Sequence, residues 1–444
     1  MSRSRTRLSR RDFLRASGAT LAALPLTSSL AWGRVTAAAK RPKVAAVFTE
    51  FTYRSHAHVL LENFLEKYLF NGQLTDSGVD VVSFYADQLP KGDMSKQVAA
   101  EYGIPIYKTI DQALCLGGQD LAVDAVLSIG EHGKYPHNEL DQHMYPRKEF
   151  FDQIVAVMKR SNRFVPLYND KHLSYRWDWA KEMYDTTVKL GIPFMAGSSV
   201  PLAQRQPPLE IPAGAKIEEA ISVHGGGVES YDFHALEVLQ SMVEARHGGE
   251  TGVARVQFLD HDALWKAADE GRWSVSLATA AVEANLGRKI DNLRDLEQER
   301  GPAYGVLVTY KDGLRGLALR LAQSGTHWNF ACRYQGNPQP HATSYYVGPW
   351  QNRNLFKALS HAIQYHFIHG KAPYPVERTL LVTGVLDASM HSRHQKGKPL
   401  DTPQLEFAYA PRDYRQFREM GASWKILTED IPEPHGINPN GTKE

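Results

Sequence analysis

From Lys43 to Ala196 the chain alternates short β-rich runs with amphipathic stretches of helical spacing, and nothing else in it limits the fold so strongly. Val44–Phe48 is an almost unbroken apolar run, the mark of a strand buried on both faces. A helix is predicted over His56–Phe70, with Leu61, Leu65 and Tyr68 at helical spacing, and a second strand over Val79–Tyr85. A helix at Ser95–Tyr102, a short strand at Ile104–Tyr107, a helix at Ile110–Leu116 and a buried strand at Val123–Ile129 follow. Helices at Arg147–Arg160 and Trp177–Leu190 then alternate with strands at Phe164–Tyr168 and Ile192–Ala196. This order implies an α/β fold, a Rossmann-like, doubly wound parallel sheet with helices on both faces. Ligands of such sheets bind beyond the carboxyl ends of the strands, so the loops after strands are where chemistry is expected.

The second half reads differently. Pro201–Pro212, rich in Pro and Gln, reads as a linker. Beyond it come a strand at Ala220–His224, a helix at Asp232–Ala245, a strand at Val253–Leu259 and helical segments between Ala263 and Asn285. Tyr304–Tyr310 and Leu314–Gln323 flank Asp312-Gly313, a strong hairpin signal, and strands at Thr326–Tyr334 and His341–Tyr346 extend the run. Helices at Leu355–His369 and Val376–Ser392 close a C-terminal α+β domain with a large, mostly antiparallel open sheet. The expected parts are 1–39, 40–200, 201–410 and a tail from 411 to 444.

Residues 1–39 hold seven arginines and one aspartate. Ser9-Arg10-Arg11-Asp12-Phe13-Leu14-Arg15 resembles a bacterial twin-arginine export signal, followed by an apolar run and the small residues Ala37-Ala38-Ala39. The layout predicts removal near Ala39 and a periplasmic or extracellular mature protein with no stable membrane span. The whole chain carries 51 basic and 49 acidic residues; without the first 39 the balance is 44 to 48. So small an imbalance gives no reason to expect a nucleic-acid partner. Two cysteines, Cys115 and Cys332, leave one bridge or two free thiols open.

Three stretches carry a family resemblance. They are Ala99-Ala100-Glu101-Tyr102-Gly103-Ile104-Pro105-Ile106-Tyr107, then Asp170-Lys171-His172, then Gly370–Pro375 with Gly384-Val385-Leu386-Asp387-Ala388 and Ser392. With the order of elements, they resemble the glucose–fructose oxidoreductase, inositol dehydrogenase and rhizopine-catabolism (Gfo/Idh/MocA) family over roughly residues 43–405. The resemblance implies an oxidoreductase acting on a sugar or polyol, a small-molecule carbohydrate, with tightly bound NAD or NADP. It places the catalytic lysine at Lys171, between Asp170 and His172. The family's glycine run and helix-start histidine map onto His224-Gly225-Gly226-Gly227-Val228-Glu229-Ser230-Tyr231-Asp232-Phe233-His234, which makes His234 the second acid–base candidate. Ser230 falls where the family has Asp, with Glu229 and Asp232 nearby, and Asp232 is also a candidate helix cap. The open C-terminal sheet offers a face for a homodimer or higher oligomer.

The sequence departs from this pattern after the first strand. The loop Thr49-Glu50-Phe51-Thr52-Tyr53-Arg54-Ser55-His56 has none of the glycines that let a backbone approach a pyrophosphate. Arg54 as charge partner and Ser55 as N-cap stand in for them, with Thr49 beside them, Asp87 where a ribose-binding acid sits, and Glu131-His132 in a cofactor-facing loop. Histidine is frequent at strand ends: His56, His58, Glu131, His132 and His172 form the ligand set of an alternative, a metal-dependent lyase, isomerase or hydrolase without NAD(P). A third reading is a non-catalytic sugar-binding protein on the same fold, using aromatics such as Tyr53, Tyr135, Tyr175, Trp177 and Trp179.

Overall fold

The computed structural model describes residues 40–299, 302–321, 328–433 and 437. The expected export signal therefore lies outside the described residues, as do the end of the predicted Leu314–Gln323 strand, the start of Thr326–Tyr334 and most of the last eleven positions.

The first half runs β1 (Lys43–Phe48), α1 (His56–Leu65), β2 (Tyr68–Phe70), β3 (Gln73–Thr75), β4 (Asp80–Ala86), α2 (Ser95–Tyr102), β5 (Ile106–Tyr107) and α3 (Ile110–Cys115). It continues with β6 (Ala125–Ile129), α4 (Arg147–Arg160), β7 (Leu167–Asp170), α5 (Trp177–Leu190) and β8 (Phe194–Gly197). Six strands form one parallel sheet in the order β5-β4-β1-β6-β7-β8. Val44–Phe48 and Ala125–Ile129 are buried throughout, as strands covered on both faces must be. The order reverses between β1 and β6, whose carboxyl ends open the crevice where such sheets take ligands.

The second half runs β9 (Gln204–Gln206), β10 (Ile217–His224), α6 (Ser230–Val243), β11 (Val253–Leu259), α7 (His261–Asp269), α8 (Val275–Leu286), β12 (Tyr304–Tyr310) and β13 (Arg315–Arg320). Then come β14 (Trp328–Tyr334), β15 (His341–Tyr346), α9 (Asn352–His369), α10 (Val376–His394) and β16 (Leu400–Asp401). Its eight strands lie in the order β16-β11-β12-β13-β10-β14-β15-β9, antiparallel except for β10 against β13. α6 lies against β10 and β13, and α10 joins β8 of the first sheet to β11 of the second. One apolar cluster runs from Val44 and Phe48 through Phe233 and Leu386 to Val306 and Phe330.

Three expectations need correction. The helix predicted over His56–Phe70 stops at Leu65, and Tyr68–Phe70 pairs with Gln73–Thr75 across Asn71-Gly72. Both turn residues have positive φ, 47° and 78°, the two-residue turn that suits a twisted hairpin. The linker at Pro201–Pro212 contains β9, which forms the edge of the second sheet beside β15. The open sheet face expected to serve an oligomer is covered by the chain's own α7 and α8, where Leu264, Trp265 and Leu277 pack on Ile221, Val223 and Leu317. Cys115 and Cys332 are free and buried.

Candidate functional site

A cavity of about 550 Å3 lies between the carboxyl ends of β1, β6 and β7 and the start of α6. Gly130 follows β6 beside the buried Arg147; a Cβ there would lie 2.7 Å from Arg147 Cγ, so only glycine lets that side chain pass to Glu131. Lys171 follows directly on β7 with φ 63° and donates from Nζ to Glu131 Oε1 at 2.8 Å. Arg147 ion-pairs with the other oxygen, Oε2. Burial alone would raise the Glu131 carboxyl, but Lys171 and Arg147 hold it well below the ordinary value. The result is a buried anion clamped by two cations at the cavity floor.

The residues flanking Lys171 support it from behind. His172 accepts from Arg147 Nη1 at Nε2 (3.1 Å) and donates from Nδ1 to the Ser174 carbonyl (2.8 Å). Both ring nitrogens are engaged, and burial with Arg147 nearby keeps the ring neutral. Asp170 is fully buried and bonds His56 Nδ1 at 2.6 Å, which leaves His56 in the cavity wall as a histidine oriented by a carboxylate. His132 lies beside it with ring centroids 5.1 Å apart, its Nδ1 accepting from the His56 amide at 3.4 Å. Burial, then the neighbouring His56, push its pKa down to about 4, so it is neutral.

His234 enters from the first turns of α6. Its Nδ1 meets Ser198 Oγ at 2.6 Å, and Ser198 Oγ already accepts from the Val200 amide. With the Ser198 hydroxyl as donor to Nδ1, the His234 proton is on Nε2. Burial and the nearby Lys171 keep this ring neutral as well. Ser198, and not the expected carboxylate, meets His234, because Asp232 is engaged elsewhere, His224 Nε2 lying 3.0 Å from its Oδ1. Asp232 turns inward, accepts from Tyr304 (3.0 Å) and the Glu229 amide (2.9 Å), and caps α6.

Glu229 is the residue that sequence reasoning undervalued. It occupies the N-cap of α6 at φ 65° and lines the cavity. Its Oε2 accepts from the His143 amide at 2.8 Å, and Oε1 has no protein partner. Burial pushes its carboxyl up to about 7. Among the described residues, four of the ten non-glycine positions with positive φ, namely His132, Asp141, Lys171 and Glu229, line this one cavity. Such backbone costs about 1–3 kcal/mol per residue and gathers where function requires it. Ser199 Oγ, Trp328 Nε1 and Asn352 Oδ1, also on lining residues, likewise lack protein partners. Tyr231 stacks on Trp328 at 5.7 Å and 9°, and a Cβ at Gly226 would lie 1.9 Å from the Tyr231 ring. That stacked pair joins residues almost a hundred positions apart and left no local signal. Glu229 had one, a carboxylate closing a glycine run, and His56 had Asp170 two strands away.

The head of α1 is a different environment. The amides of Phe51, Thr52, Arg54, Ser55, His56 and His58 are all engaged, by Asp93, by Ser55 Oγ, by His58 Nδ1, by the Thr52 carbonyl and by His132 Nδ1. Thr49 donates to the Glu131 carbonyl at 2.6 Å. The Arg54 guanidinium pairs with Glu433, which also accepts from Tyr53 and from Arg353, both at 2.9 Å. Asp87 accepts from Tyr85 and Tyr135, and Gln88 and Lys134 bond each other twice. The residues expected to hold a dinucleotide, Thr49, Arg54, Ser55 and Asp87, thus hold parts of the chain itself, while Glu131 and His132 belong to the cavity. As they stand, the residues at this turn do not fit a pyrophosphate.

The alternative metal set is not assembled either. His58 is fully buried, accepts from the Arg54 amide and faces Glu62, while Glu131 and His172 are engaged as above. Among the described residues no group of three or more His, Cys, Asp or Glu side chains is arranged to hold a metal ion.

No protein-family model matches the chain, and no curated protein does. Solved structures do. GenD2 from gentamicin A biosynthesis, in complex with NAD, is 12% identical with a TM-score of 0.52, covering 86% of this chain and 99% of its own. The scyllo-inositol dehydrogenase of Lactobacillus casei is 9% identical at a TM-score of 0.51, covering 82% and 98%. The myo-inositol 2-dehydrogenase of Lactobacillus plantarum is 11% identical at 0.50, covering 82% and 99%. At these identities the likeness shows the fold: a Rossmann-like parallel sheet with a C-terminal mixed sheet, as in sugar and polyol dehydrogenases of the Gfo/Idh/MocA type.

Proposed function

We propose that this chain is an enzyme acting on a CH–OH group of a sugar or polyol, exported through its arginine-rich first 39 residues and working by proton transfer within the Lys171–Glu229 cavity. The observation that carries the reading is the meeting in one cavity of a clamped Lys171–Glu131–Arg147 network, a carboxyl near 7, and an aromatic wall. Burial raises the Glu229 carboxyl to about 7, into the range suited to general acid–base work near neutral pH. Lys171 is placed to stabilise negative charge developing on a substrate oxygen. His234, with its proton on Nε2, is a neutral donor to a second hydroxyl. His56 is a base held in orientation by Asp170. The stacked Tyr231 and Trp328 give an apolar face for a sugar ring, and Ser199 Oγ and Asn352 Oδ1, which lack protein partners, give polar contacts for its hydroxyls.

A second reading, dehydrogenation with NAD or NADP, is favoured by the fold and by the place of Lys171 at the end of a parallel strand. Bound there, the dinucleotide would accept the hydride; the engaged turn at α1 speaks against this reading. A panel of sugars and polyols, followed by thermal shift and by NMR for turnover, tests the proposal. At least one should raise Tm and be converted, and Lys171→Ala should abolish conversion while keeping the shift. A Tm shift with no conversion across the panel would favour a sugar-binding protein, and no shift at all would overturn both.

A further inference from the structure

In this sheet class a cofactor pyrophosphate sits at the amino end of the first helix, held by free backbone amides and the helix dipole. Here that place already contains an anion. Glu433 comes from a point 380 residues further along the chain than Tyr53 and receives Tyr53, Arg54 and Arg353 together. The contact is reinforced on both sides. Asn352 Nδ2 donates to the Arg54 carbonyl at 2.9 Å, Arg54 Nη1 to Gln351 Oε1 at 3.3 Å, and Trp350 Nε1 to the Ile431 carbonyl at 3.2 Å. Arg353 is itself buried and also paired with Glu62 on α1, at 2.7 Å. Arg54 and Gln351, which face each other here, both have positive φ, 61° and 53°. At the other end of the crevice Asp87 is tied to Tyr135, so the loop after β6 closes over the end of β4.

We infer that Glu433 is an internal substitute for the cofactor phosphate, that the head of α1 has become a joint between the C-terminal segment and the first sheet, and that the protein works with no nicotinamide dinucleotide bound. The six engaged amides, the absence of glycine between Thr49 and His56, and the cross-chain carboxylate support the same conclusion independently. The inference goes beyond the proposed activity and does not depend on it. A bound dinucleotide would overturn the inference and leave a carbohydrate enzyme in place, whereas failure of every sugar would overturn the activity and leave the joint.

The test uses the full chain. Protein produced with residues 1–39 is denatured and the supernatant assayed for NAD(P); separately, the native protein is dialysed against millimolar NAD+ and NADP+. We expect neither release nor saturable binding. Release approaching one per chain, or saturable binding, overturns the inference. Glu433→Ala, which removes the carboxylate shared by Tyr53, Arg54 and Arg353, should then acquire a Tm increase with inorganic pyrophosphate that the unaltered protein lacks. A folded Glu433→Ala protein indifferent to pyrophosphate would show that Glu433 does not stand in for a phosphate. If that variant fails to fold, Glu433→Gln carries the same comparison, and the two measurements on the unaltered protein decide by themselves.

Discussion

The head of α1 and the Lys171–Glu229 cavity sit at the same edge of the same sheet, yet they are built in opposite ways. At α1 the amides of Phe51, Thr52, Arg54, Ser55, His56 and His58 are satisfied from within the chain. In the cavity, a carboxyl oxygen of Glu229 and polar atoms of Ser199, Trp328 and Asn352 lack protein partners, and four residues hold positive φ. The contrast teaches that a shared fold fixes where a site lies and not which half of it is kept. A satisfied turn joins parts of the chain, whereas a wall with unpartnered polar atoms has groups left to offer a ligand.

Replacing Lys171 should break the comparison most strongly. Lys171→Ala removes a cation that both clamps Glu131 and lines the cavity, and turnover should fall by roughly 10²–10⁴-fold. A fall of less than about tenfold, measured on whichever panel sugar is converted, would move the chemistry elsewhere in the cavity. Arg353→Ala should act on the other side of the contrast. It leaves Glu62, buried on α1, and Glu433 with a lost partner each, and stability to denaturant should drop by about 3–5 kcal/mol. Activity of the remaining folded protein should be little changed; an activity loss without a stability loss would show that the joint belongs to the site.

Glu229 links the two kinds of evidence through pH. Its folded value, raised to about 7 against an ordinary 4.5, means that the native protein retains a proton the unfolded chain has released. Glu237, buried beneath α10 and also pushed up to about 7 by burial, behaves alike. Their contribution to stability is therefore fully present below about 4.5 and declines as pH rises through about 7. The buried neutral His58 and His132, lowered to about 3 and 4, act in the opposite sense: their contribution is present above about 6.5 and is lost as pH falls toward those values. Glu229→Gln should flatten part of the decline on the alkaline side and remove the inflection near pH 7 from the rate profile, with turnover reduced by tens-fold or more. An unchanged profile would assign the acid–base role to His56.

Much of the frame was legible in the residues. Continuous apolar runs identified β1 and β6, and Arg147–Arg160, Trp177–Leu190 and Val253–Leu259 begin and end where helical or strand spacing does. Strand–helix order also placed Lys171 and His132 at one edge, because parallel topology alone brings those loops together. What escaped reading was non-local. No pattern near Arg54 announces Glu433, and none near Tyr231 announces Trp328. Asp170 and His172 are expected in the site because they flank the lysine; His172 lines the cavity, and the two side chains hold His56 and Arg147. The hairpin at Asn71-Gly72 did carry a local signal, which the helical spacing of Leu61, Leu65 and Tyr68 outweighed.

The smallest expected effect is the one that separates a ribose-binding acid from a surface residue. Asp87 occupies the end of β4 where a dinucleotide fold keeps a carboxylate for a ribose hydroxyl. Here it is exposed and accepts from Tyr85 at 2.9 Å and Tyr135 at 2.5 Å. Asp87→Asn retains an acceptor for one tyrosine and removes a charge that solvent already screens, so stability should change by no more than about 0.5 kcal/mol. Conversion of the panel sugar should be unaltered within experimental scatter. Were the ribose role intact, the same substitution would weaken cofactor retention and depress turnover at limiting NAD(P) while sparing stability. Denaturant midpoints and rates measured side by side on this one variant therefore discriminate a crevice that holds a nucleotide from one whose upper half has been closed by its own tyrosines.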